Sequence, residues 1–475
     1  MAIVFSQEQI NERIKFENTW WETGSVDNYY RRMSHREYFK LFYPLVTERS
    51  IKRAVVLMGP RRVGKTVMLF QTVQKLIDEG VDSRNICYFS VETPIYNNIA
   101  LEELLHLYFS LSKKTKDDEV YVIFDEIQYL KDWEVHLKSL VDSYHNAKFI
   151  VSGSAAAALK LKSNESGAGR FTDFILPPLT FHEYLLLTGN EEKLGLEQED
   201  DFSFCTTTDI ESLNSLFIDY INYGGYPEVS LSETIQQDPG RYIRNDIIDK
   251  VLLRDLPSLY GIQDVQELNS LFTYIAYNSG NEVSIDSLAQ DSGVAKNTIK
   301  KYLTYLEASF LICIIDRIDN NAKKFKRANF FKVYLTNPSL RSALFSPIKT
   351  DDPFMGNMVE TAIFSQWNHS PNKNRYYARW QNGEVDLVYL HPIKQKPEWC
   401  VEIKWTNRFV QHPNELKSSK SFCQKHKLKN ISITSIDQST DITLDGVTYS
   451  FIPASLYCYT VGRNLFESKL DNDNN

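Results

Sequence analysis

The sequence predicts an α/β protein of several domains: a parallel-sheet core, a helical and winged-helix middle, and a second α/β domain at the end. The chain has 475 residues, about three times a usual domain length of roughly 150 residues. Strand-like apolar runs alternate with helix-like runs before residue 190, and this order is typical of a parallel sheet with right-handed crossovers. An α/β pattern returns from Val359 to the end.

Composition excludes several classes of protein. With 43% hydrophobic and 13% aromatic residues, the chain can bury substantial cores and is not disordered. A net charge of −8 excludes a globally basic nucleic-acid coat but not a local basic face. The six cysteines form no CxxC pair, which favours reduced thiols and a cytoplasmic location. The sequence shows no signal peptide and no apolar run long enough for a membrane span, so no membrane association is expected.

The elements of the first domain follow one another in regular order. A helical extension is expected over residues 1–45, before a core at 46–190. Each predicted strand is a short apolar run, as burial on both faces requires, and the helices have apolar residues at helical spacing. The predicted strands cover 54–58, 86–91, 120–124 and 148–152, and the predicted helices cover 66–79, 101–112 and 133–144.

The loop after the first strand carries the most specific motif. Its sequence GPRRVGKT matches the Walker A pattern G-x-x-x-x-G-K-[ST] and has the required strand before it and helix after it. The loop amides and the helix N-terminus form a cradle for phosphate. Lys65 would reach the β and γ phosphates, and the Thr66 hydroxyl would bind Mg²⁺. ATP and Mg²⁺ are the expected cofactors. The predicted nucleotide-binding residues are Gly59, Pro60, Arg61, Arg62, Val63, Gly64, Lys65, Thr66 and Val67.

Polar residues at two further strand ends would complete this site. Asp125 and Glu126 directly follow the apolar run 121–124. Asp125 suits either direct binding of Mg²⁺ or a hydrogen bond to one of the ligands of Mg²⁺, and Glu126 is placed to polarise the attacking water as a general base. Ser152 and Ser154 lie at the tip of the next strand, where a polar residue, Ser154 in particular, could sense the γ-phosphate, although small residues there often only form a turn.

These motifs occur in an order that resembles a known family. The loop 59–66, Asp125-Glu126, SGSA, GRFTDFILPPLTFHEYL and YGGYPEV are similar to prokaryotic AAA+-type ATPases. In that family a helical segment and a C-terminal domain related to PD-(D/E)XK nucleases follow the ATPase. The resemblance also implies kinship with STAND signalling ATPases, in which the proline matched by Pro227 lies near the nucleotide. From the residues alone, Gly-Gly-Tyr-Pro is a sharp break between helices.

An arginine after the SGSA strand is a candidate for stabilising charge on the γ-phosphate. Arg170 could act as an arginine finger within its own chain or in a neighbouring subunit, which would fit an ATP-dependent homo-oligomer. Most surface arginines have no such role. Arg254 is a weaker candidate for the same task.

The segment from Asn190 to Glu211 has eight acidic residues and one lysine, and we expect it to be exposed and mobile. It opens a region, 191–263, that is otherwise helical. This acidic insertion has no predicted chemistry of its own.

Residues 264–345 are similar to a winged helix-turn-helix. Three short helices are expected between Leu268 and Leu311, with Ser284 capping one helix, Gly293 ending it, and a candidate recognition helix after it. The recognition helix and the wing are basic, so DNA is the expected partner, although winged helices also dock proteins and lysine runs are often only solvated. The expected DNA contacts are Lys296, Lys300, Lys301, Lys324, Lys326 and Arg327, and Lys332 belongs to the same basic stretch.

The final domain, 346–475, carries a pattern that resembles the PD-(D/E)XK nuclease signature. Glu360 lies on a predicted helix, Glu384 and Asp386 share one face of a hairpin strand, and Glu402 and Lys404 share one face of the next strand. In such sites carboxylates hold Mg²⁺ and a lysine positions the attacking water or steadies the developing charge. The predicted metal ligands here are Glu360, Asp386 and Glu402, with Lys404 as the catalytic lysine. Patterns of this kind are common, and fold relatives often cleave nothing.

Two functions follow as hypotheses. The first is an ATP-hydrolysing protein acting on DNA, in which the nucleotide state gates a metal-dependent nuclease-like domain. The second is a regulatory ATPase switch whose C-terminal domain only binds DNA or a protein partner.

Overall fold

A computed structural model describes the chain in six stretches and divides it into two compact units, residues 1–177 and 178–475. The described stretches are 5–97, 99–153, 169–198, 204–324, 329–370 and 372–473. None of the helices in these stretches combines the length and the hydropathy that crossing a bilayer requires.

The first unit is built on a parallel five-stranded sheet with the order β2-β3-β4-β1-β5. The central strands are buried along their whole length, as their apolar runs predicted. The sequence did not predict β5, which is partly exposed and has two adjacent polar residues, Thr172 and Asp173, in place of a continuous apolar run. The strands are β1 Ala54–Met58, β2 Ile86–Ser90, β3 Val120–Asp125, β4 Ala147–Gly153 and β5 Phe171–Ile175.

Helices flank this sheet and also cover one of its edges. The indole N–H groups of Trp20 and Trp21 both donate to the carbonyl oxygen of Ile86 on β2, at 3.1 and 2.8 Å. The N-terminal segment thereby covers a strand edge that would otherwise expose unpaired backbone groups. The helices are α1 Gln7–Glu17, α2 Trp20–Thr23, α3 Asn28–Arg31, α4 Phe39–Thr47, α5 Lys65–Asp78, α6 Leu101–Ser112 and α7 Trp133–Ser143.

The second unit begins with a largely helical region. Its three expected short helices are present at Val265–Tyr277, Ile285–Ser292 and Lys296–Ala308. The second of them is capped as predicted: the Ser284 hydroxyl accepts from the Ser287 N–H at 2.9 Å, and Gly293 is in the left-handed region at φ 75°. The helices are α8 Phe181–Leu187, α9 Ile210–Tyr223, α10 Pro227–Leu231, α11 Glu233–Gln236, α12 Pro239–Ile243, α13 Leu256–Tyr260, α14 Val265–Tyr277, α15 Ile285–Ser292, α16 Lys296–Ala308, α17 Ser339–Leu344, α18 Met355–Trp367, α19 Arg408–Gln411, α20 Lys417–His426 and α21 Ala454–Asp473, with π-helical turns at Arg244–Asp249 and Val251–Asp255.

A mixed nine-stranded sheet runs through the rest of this unit in the order β13-β14-β12-β11-β10-β9-β7-β8-β6. Parallel pairing of Arg317 and Ile318 on β7 with Tyr377 and Ala378 on β9 joins the strands of residues 282–335 to those of 375–453. The predicted middle and final domains therefore share one sheet. The strands are β6 Glu282–Ser284, β7 Ile312–Ile318, β8 Phe330–Leu335, β9 Arg375–Trp380, β10 Gly383–Leu390, β11 Pro397–Glu402, β12 Asn430–Ser435, β13 Thr440–Leu444 and β14 Val447–Pro453.

Contrary to the expectation from its composition, the acidic insertion is not exposed at all of its described residues, and its mobility stays a prediction. Leu194 and Cys205 are buried in the core of the second unit. A β-bridge pairs Glu197 with Thr206. The Glu191 carboxylate accepts a hydrogen bond from Tyr459 on α21. A few apolar anchors outweigh the charge count, because burying them stabilises the segment against the core while four of the five described acids stay exposed.

Candidate functional site

The glycine-rich loop runs from the end of β1 into α5 with a backbone that its sequence requires. A Cβ atom on Gly59 would lie 2.2 Å from the carbonyl oxygen of Leu176, so no side chain fits there. Gly64 has a φ of 96° and caps α5, a conformation that L side chains rarely adopt. The helix then begins at Lys65. The loop amides and the helix N-terminus are thus placed as an anion-binding site.

Two buried cationic side chains donate hydrogen bonds to backbone carbonyl oxygens of this loop. The Lys65 ammonium donates to the carbonyl oxygens of Gly59 and Pro60 at 3.0 and 2.9 Å. The Arg36 guanidinium donates to the carbonyl oxygens of Val63 and Pro177 at 3.1 and 2.7 Å. Sequence reasoning missed Arg36, because it lies well upstream of the motif and no local pattern marks it.

Asp125 is the centre of the site and accepts four hydrogen bonds. Its Oδ2 accepts from the Thr66 hydroxyl at 2.8 Å and from the Tyr88 hydroxyl at 2.7 Å. Its Oδ1 accepts from the Ser152 hydroxyl and from the Glu126 N–H at 3.2 Å. Burial, and then Glu126, raise the pKa of the Asp125 carboxyl above its ordinary value, while the three hydroxyls act in the opposite direction. The predicted pair of Thr66 and Asp125 is in direct contact.

Glu126 stands just beyond the end of β3 in a conformation that is uncommon for its residue type. Its φ is 55° and its ψ 47°, in the left-handed region, and strain of this kind clusters at functional sites. Its carboxylate accepts a hydrogen bond from the Gln128 side chain. Of the two serines at the tip of β4, Ser152 donates to Asp125, and its role as a γ-phosphate sensor stays a prediction. Ser154 lies outside the described residues.

Arg170 lies at the end of the sheet opposite the loop. Its carbonyl oxygen accepts from the Ala54 N–H at 2.9 Å, at the start of β1, whereas the loop follows the last residue of that strand. At about 3.3 Å per residue, the length of β1 separates the two. The guanidinium pairs with Asp142 at 2.9 Å. This position argues against an arginine finger within the same chain, and a role in a neighbouring subunit stays a prediction.

The remaining predicted nucleotide contact and the basic helix belong to the second unit. Pro227 is the first residue of α10, and its approach to the nucleotide stays a prediction. Lys296, Lys300 and Lys301 are exposed on α16, where Lys296 pairs with Asp286 at 2.6 Å. The Lys324 ammonium lies 4.6 Å from the centre of the Tyr376 ring. The other two expected DNA contacts, Lys326 and Arg327, lie outside the described residues.

Three of the predicted nuclease residues come together where β10 and β11 run side by side. The Lys404 ammonium lies 3.1 Å from Asp386 Oδ2 and 2.7 Å from Glu402 Oε1. The Ile403 N–H also donates to Asp386 Oδ2, at 2.8 Å, and the Ser419 hydroxyl donates to Glu402 Oε2 at 2.8 Å. Burial, and then the nearby Asp386, raise the pKa of Glu402 to about 7.

The fourth predicted residue, Glu360, has partners that the sequence did not indicate. The Lys332 ammonium lies 2.9 Å from Glu360 Oε1 and 2.8 Å from Glu384 Oε1, and the Tyr334 hydroxyl donates to Glu360 Oε1 at 2.6 Å. The Lys332 side chain is only 5% exposed. Counting Lys332 with the solvated basic stretch was therefore wrong, because β8 turns it toward the carboxylates.

Both sites contain oxygen ligands that suit a metal ion, but one predicted ligand of the second site does not. The hydroxyl of Thr66 and the carboxylate of Asp125 are oxygen ligands of the kind Mg²⁺ prefers, and so are the adjacent carboxylates of Asp386 and Glu402. Glu360 does not fit as a third ligand, since Lys332 and Tyr334 hold it. Across the described part of the chain, no three His, Cys, Asp or Glu side chains converge as a ready metal cluster.

Comparison with known families agrees with this geometry in the first unit. Residues 51–185 match the family model of the AAA domain. The chain carries an AAA-type P-loop ATPase domain. Residues 214–352 match the model of a domain of unknown function. The nuclease relationship of the C-terminal region rests on the sequence pattern alone.

The similar proteins include two uncharacterized proteins of Methanocaldococcus jannaschii. One is 27% identical over 407 residues, covering 82% of this chain and 84% of the relative. The other is 24% identical over 399 residues, covering 80% and 82%. An uncharacterized protein of Haemophilus influenzae is 25% identical over 291 residues, covering 60% and 68%. None of these names states a function.

Solved structures give weaker similarity. The Aeropyrum pernix ORC2 protein aligns with 15% identity and a TM-score of 0.37, over 64% of this chain and 90% of that one. DnaA from Aquifex aeolicus aligns with 11% identity and a TM-score of 0.28, over 58% and 90%. Scores this low do not by themselves establish a shared fold.

Proposed function

We propose that this protein binds and hydrolyses ATP with Mg²⁺, acts on DNA, and uses its nucleotide state to gate a nuclease-like C-terminal domain. The observation that carries the first part is the hydrogen bond from Thr66 to the buried Asp125 beside Glu126. It joins the end of the phosphate-binding loop to the tip of β3, as an ATPase site requires. The AAA domain match over residues 51–185 supports the same assignment.

Each residue of the ATP site has a defined task. The loop amides and Lys65 hold the phosphates, and Lys65 exchanges its bonds to the loop carbonyls for the β and γ phosphates. Thr66 and Asp125 would hold Mg²⁺, which would neutralise charge on those phosphates. Glu126 accepts the proton of the attacking water. Arg36 keeps the loop closed from behind through the carbonyl of Val63.

The C-terminal site supplies the second activity. Asp386 and Glu402 would hold Mg²⁺, and Lys404, which lies between them, would steady the charge on the scissile phosphate. The lysines on α16 would contact the DNA backbone, because they are exposed on one helix and carry the positive charge that phosphate attracts.

One observation favours a second candidate, an ATPase switch whose C-terminal domain binds DNA or a partner without cutting. In that domain Lys332 pairs with Glu360 and Glu384, and Lys404 pairs with Asp386 and Glu402, so two cations offset part of the charge of four acids. A site that already contains its own cations has less need of a metal ion. In this candidate, ATP controls assembly of a homo-oligomer.

DNA cleavage by the full chain separates the two candidates. Plasmid and linear DNA are incubated with Mg²⁺ or Mn²⁺, with and without ATP. The variants are Asp386→Ala and Lys65→Ala, with Asp441→Ala, an exposed acid on β13, as the control. ATP-sensitive cutting that is lost in Asp386→Ala and kept in Asp441→Ala supports the gated nuclease. Absence of cutting in every condition, with ATP-dependent assembly lost in Lys65→Ala, supports the switch.

A further inference from the structure

A tyrosine from the edge of the first sheet reaches the predicted Mg²⁺ ligand. Tyr88 lies on β2, next to β3, and its side chain is buried. Its hydroxyl donates to Asp125 Oδ2 at 2.7 Å. A buried tyrosine hydroxyl needs a partner, but any carbonyl would satisfy it. This one is aimed at the carboxylate on which the ATP site depends.

The bond completes the coordination of Asp125 by protein donors. An ionised carboxylate offers about four acceptor positions on its two oxygens. In Asp125 these positions accept from the Thr66, Tyr88 and Ser152 hydroxyls and from the Glu126 N–H. The donors come from α5, β2, β4 and the residue after β3, so the carboxylate is fixed from several sides. Of the four donors, Tyr88 alone comes from the edge strand.

The N-terminal segment holds the backbone of that same tyrosine. Asn18, at the end of α1, accepts from the Tyr88 N–H at 2.7 Å and donates to the Tyr88 carbonyl oxygen at 2.9 Å. Its amide also donates to the Ile14 carbonyl oxygen at 2.8 Å, and its side chain is almost fully buried. A single side chain thus replaces the neighbouring strand that β2 lacks at this residue.

We propose that Tyr88 is a positioning residue for the Mg²⁺-binding carboxylate of Asp125, and that the N-terminal segment keeps Tyr88 in place through Asn18. The inference rests on the proposed ATPase function and assigns to residues 5–47 a part in it. The segment is a component of the nucleotide site, acting through one side chain and one strand, rather than a separate extension.

The test is Tyr88→Phe, which removes the hydroxyl and keeps the ring. Binding of a fluorescent ATP analogue to the full chain is titrated with Mg²⁺ and, separately, measured in EDTA. A lost hydrogen bond to a charged group predicts a rise of at least about tenfold in the Mg²⁺ concentration for half-maximal binding. Affinity in EDTA stays at the parental value, because Tyr88 acts on the metal ligand and not on the phosphates.

Tyr108→Phe is the matched control. Tyr108 is another buried tyrosine of the first unit, and its hydroxyl donates to the Arg84 carbonyl oxygen at 2.9 Å, away from Asp125. Its loss should leave the Mg²⁺ dependence unchanged. The proposal is overturned if Tyr88→Phe has the parent's Mg²⁺ dependence, or if both variants lose affinity equally in Mg²⁺ and in EDTA. A parent chain without Mg²⁺-dependent nucleotide binding would refute the proposed function instead.

The contribution of the N-terminal segment has its own comparison. Asn18→Ala leaves both backbone groups of Tyr88 without this partner and should raise the Mg²⁺ requirement about two- to threefold. Trp21→Phe removes a hydrogen bond to Ile86 on the same strand edge without touching Tyr88, and should not. Equal Mg²⁺ dependence in these two variants would remove the segment from the proposal.

Discussion

Two clusters of buried carboxylates, one in each unit, solve the same electrostatic problem in different ways. Asp125 in the first unit is held by hydroxyl and amide N–H donors, which stabilise its charge without cancelling it. In the second unit, the acids of the C-terminal cluster are paired with Lys332 and Lys404, whose ammonium groups cancel charge directly. A buried carboxylate held only by neutral donors still favours a nearby cation, whereas a paired one does not. The first cluster can therefore exchange a neutral donor, such as the Thr66 hydroxyl, for Mg²⁺, whereas the second has to release a lysine.

Losing a single hydrogen-bond donor or a single lysine has different consequences in the two clusters. Removing a neutral donor from Asp125 alters the geometry of a metal ligand. Removing a lysine from the second cluster leaves buried negative charge uncompensated.

Lys332→Met should cost the most stability. The variant keeps the length of the side chain but leaves Glu360 and Glu384 without their shared ammonium group. Breaking a buried ion pair in this way typically costs about 3–5 kcal/mol. Urea unfolding measures it. The exposed Lys324 provides the control, since Lys324→Met should change the free energy of unfolding by less than about 1 kcal/mol. Adding Glu360→Gln to Lys332→Met should recover part of the loss, and no recovery would contradict the pairing.

Lys65→Ala should reduce ATP hydrolysis by a factor on the order of 10²–10³, because it removes a donor aimed at charge that develops on the phosphates. Phosphate release by the purified chain measures the rate. Lys75→Ala, on the same helix α5 but paired with Glu79 at 3.0 Å, is the control and should keep the parental rate. Hydrolysis at the parental rate in Lys65→Ala would exclude the phosphate-binding loop from catalysis.

The pH dependence of stability should reveal Glu402. Its pKa is raised to about 7, so the folded chain holds a proton there that the unfolded chain releases at lower pH. Stability from this group is therefore lost as the pH rises from the ordinary carboxyl range through about 7, by roughly 1–3 kcal/mol. Glu402→Gln should flatten that slope in urea unfolding at pH 5 and pH 8. The exposed Glu398→Gln on the same strand should not, and equal slopes in both variants would exclude Glu402 as the cause.

The ATP site was predictable where its chemistry is local in sequence. The loop 59–66 needs its glycines because Gly59 meets a backbone carbonyl and Gly64 has a positive φ, and those requirements are visible in the motif. Asp125 lies at the end of the apolar run that forms β3. In a parallel sheet, the carboxyl end of such a strand lies at the same edge as the phosphate-binding loop. Tyr88 and Arg36 were not predictable, since each reaches the site only through the packing of a different element.

The C-terminal cluster shows the limits of pattern more clearly. Asp386, Glu402 and Lys404 converge as their spacing on adjacent strands predicted. Lys332 belongs to the cluster because β8 is a strand of the same sheet and directs this side chain toward Glu360 and Glu384. From sequence, a lysine in a basic stretch is indistinguishable from a solvated one, and only its burial against two acids reveals its role.

Sequence patterns predicted the succession of strands and helices as far as β4, the phosphate-binding loop, and the acids at the strand ends. These depend on apolar periodicity and on backbone conformations that few residues adopt, both of which are local properties. Tertiary structure alone decided which donors surround Asp125, which cations neutralise the second cluster, and that residues 282–335 and 375–453 share one sheet. Those outcomes depend on contacts between residues far apart in the chain, where the energy of a buried charge is set by whichever partner the packing supplies.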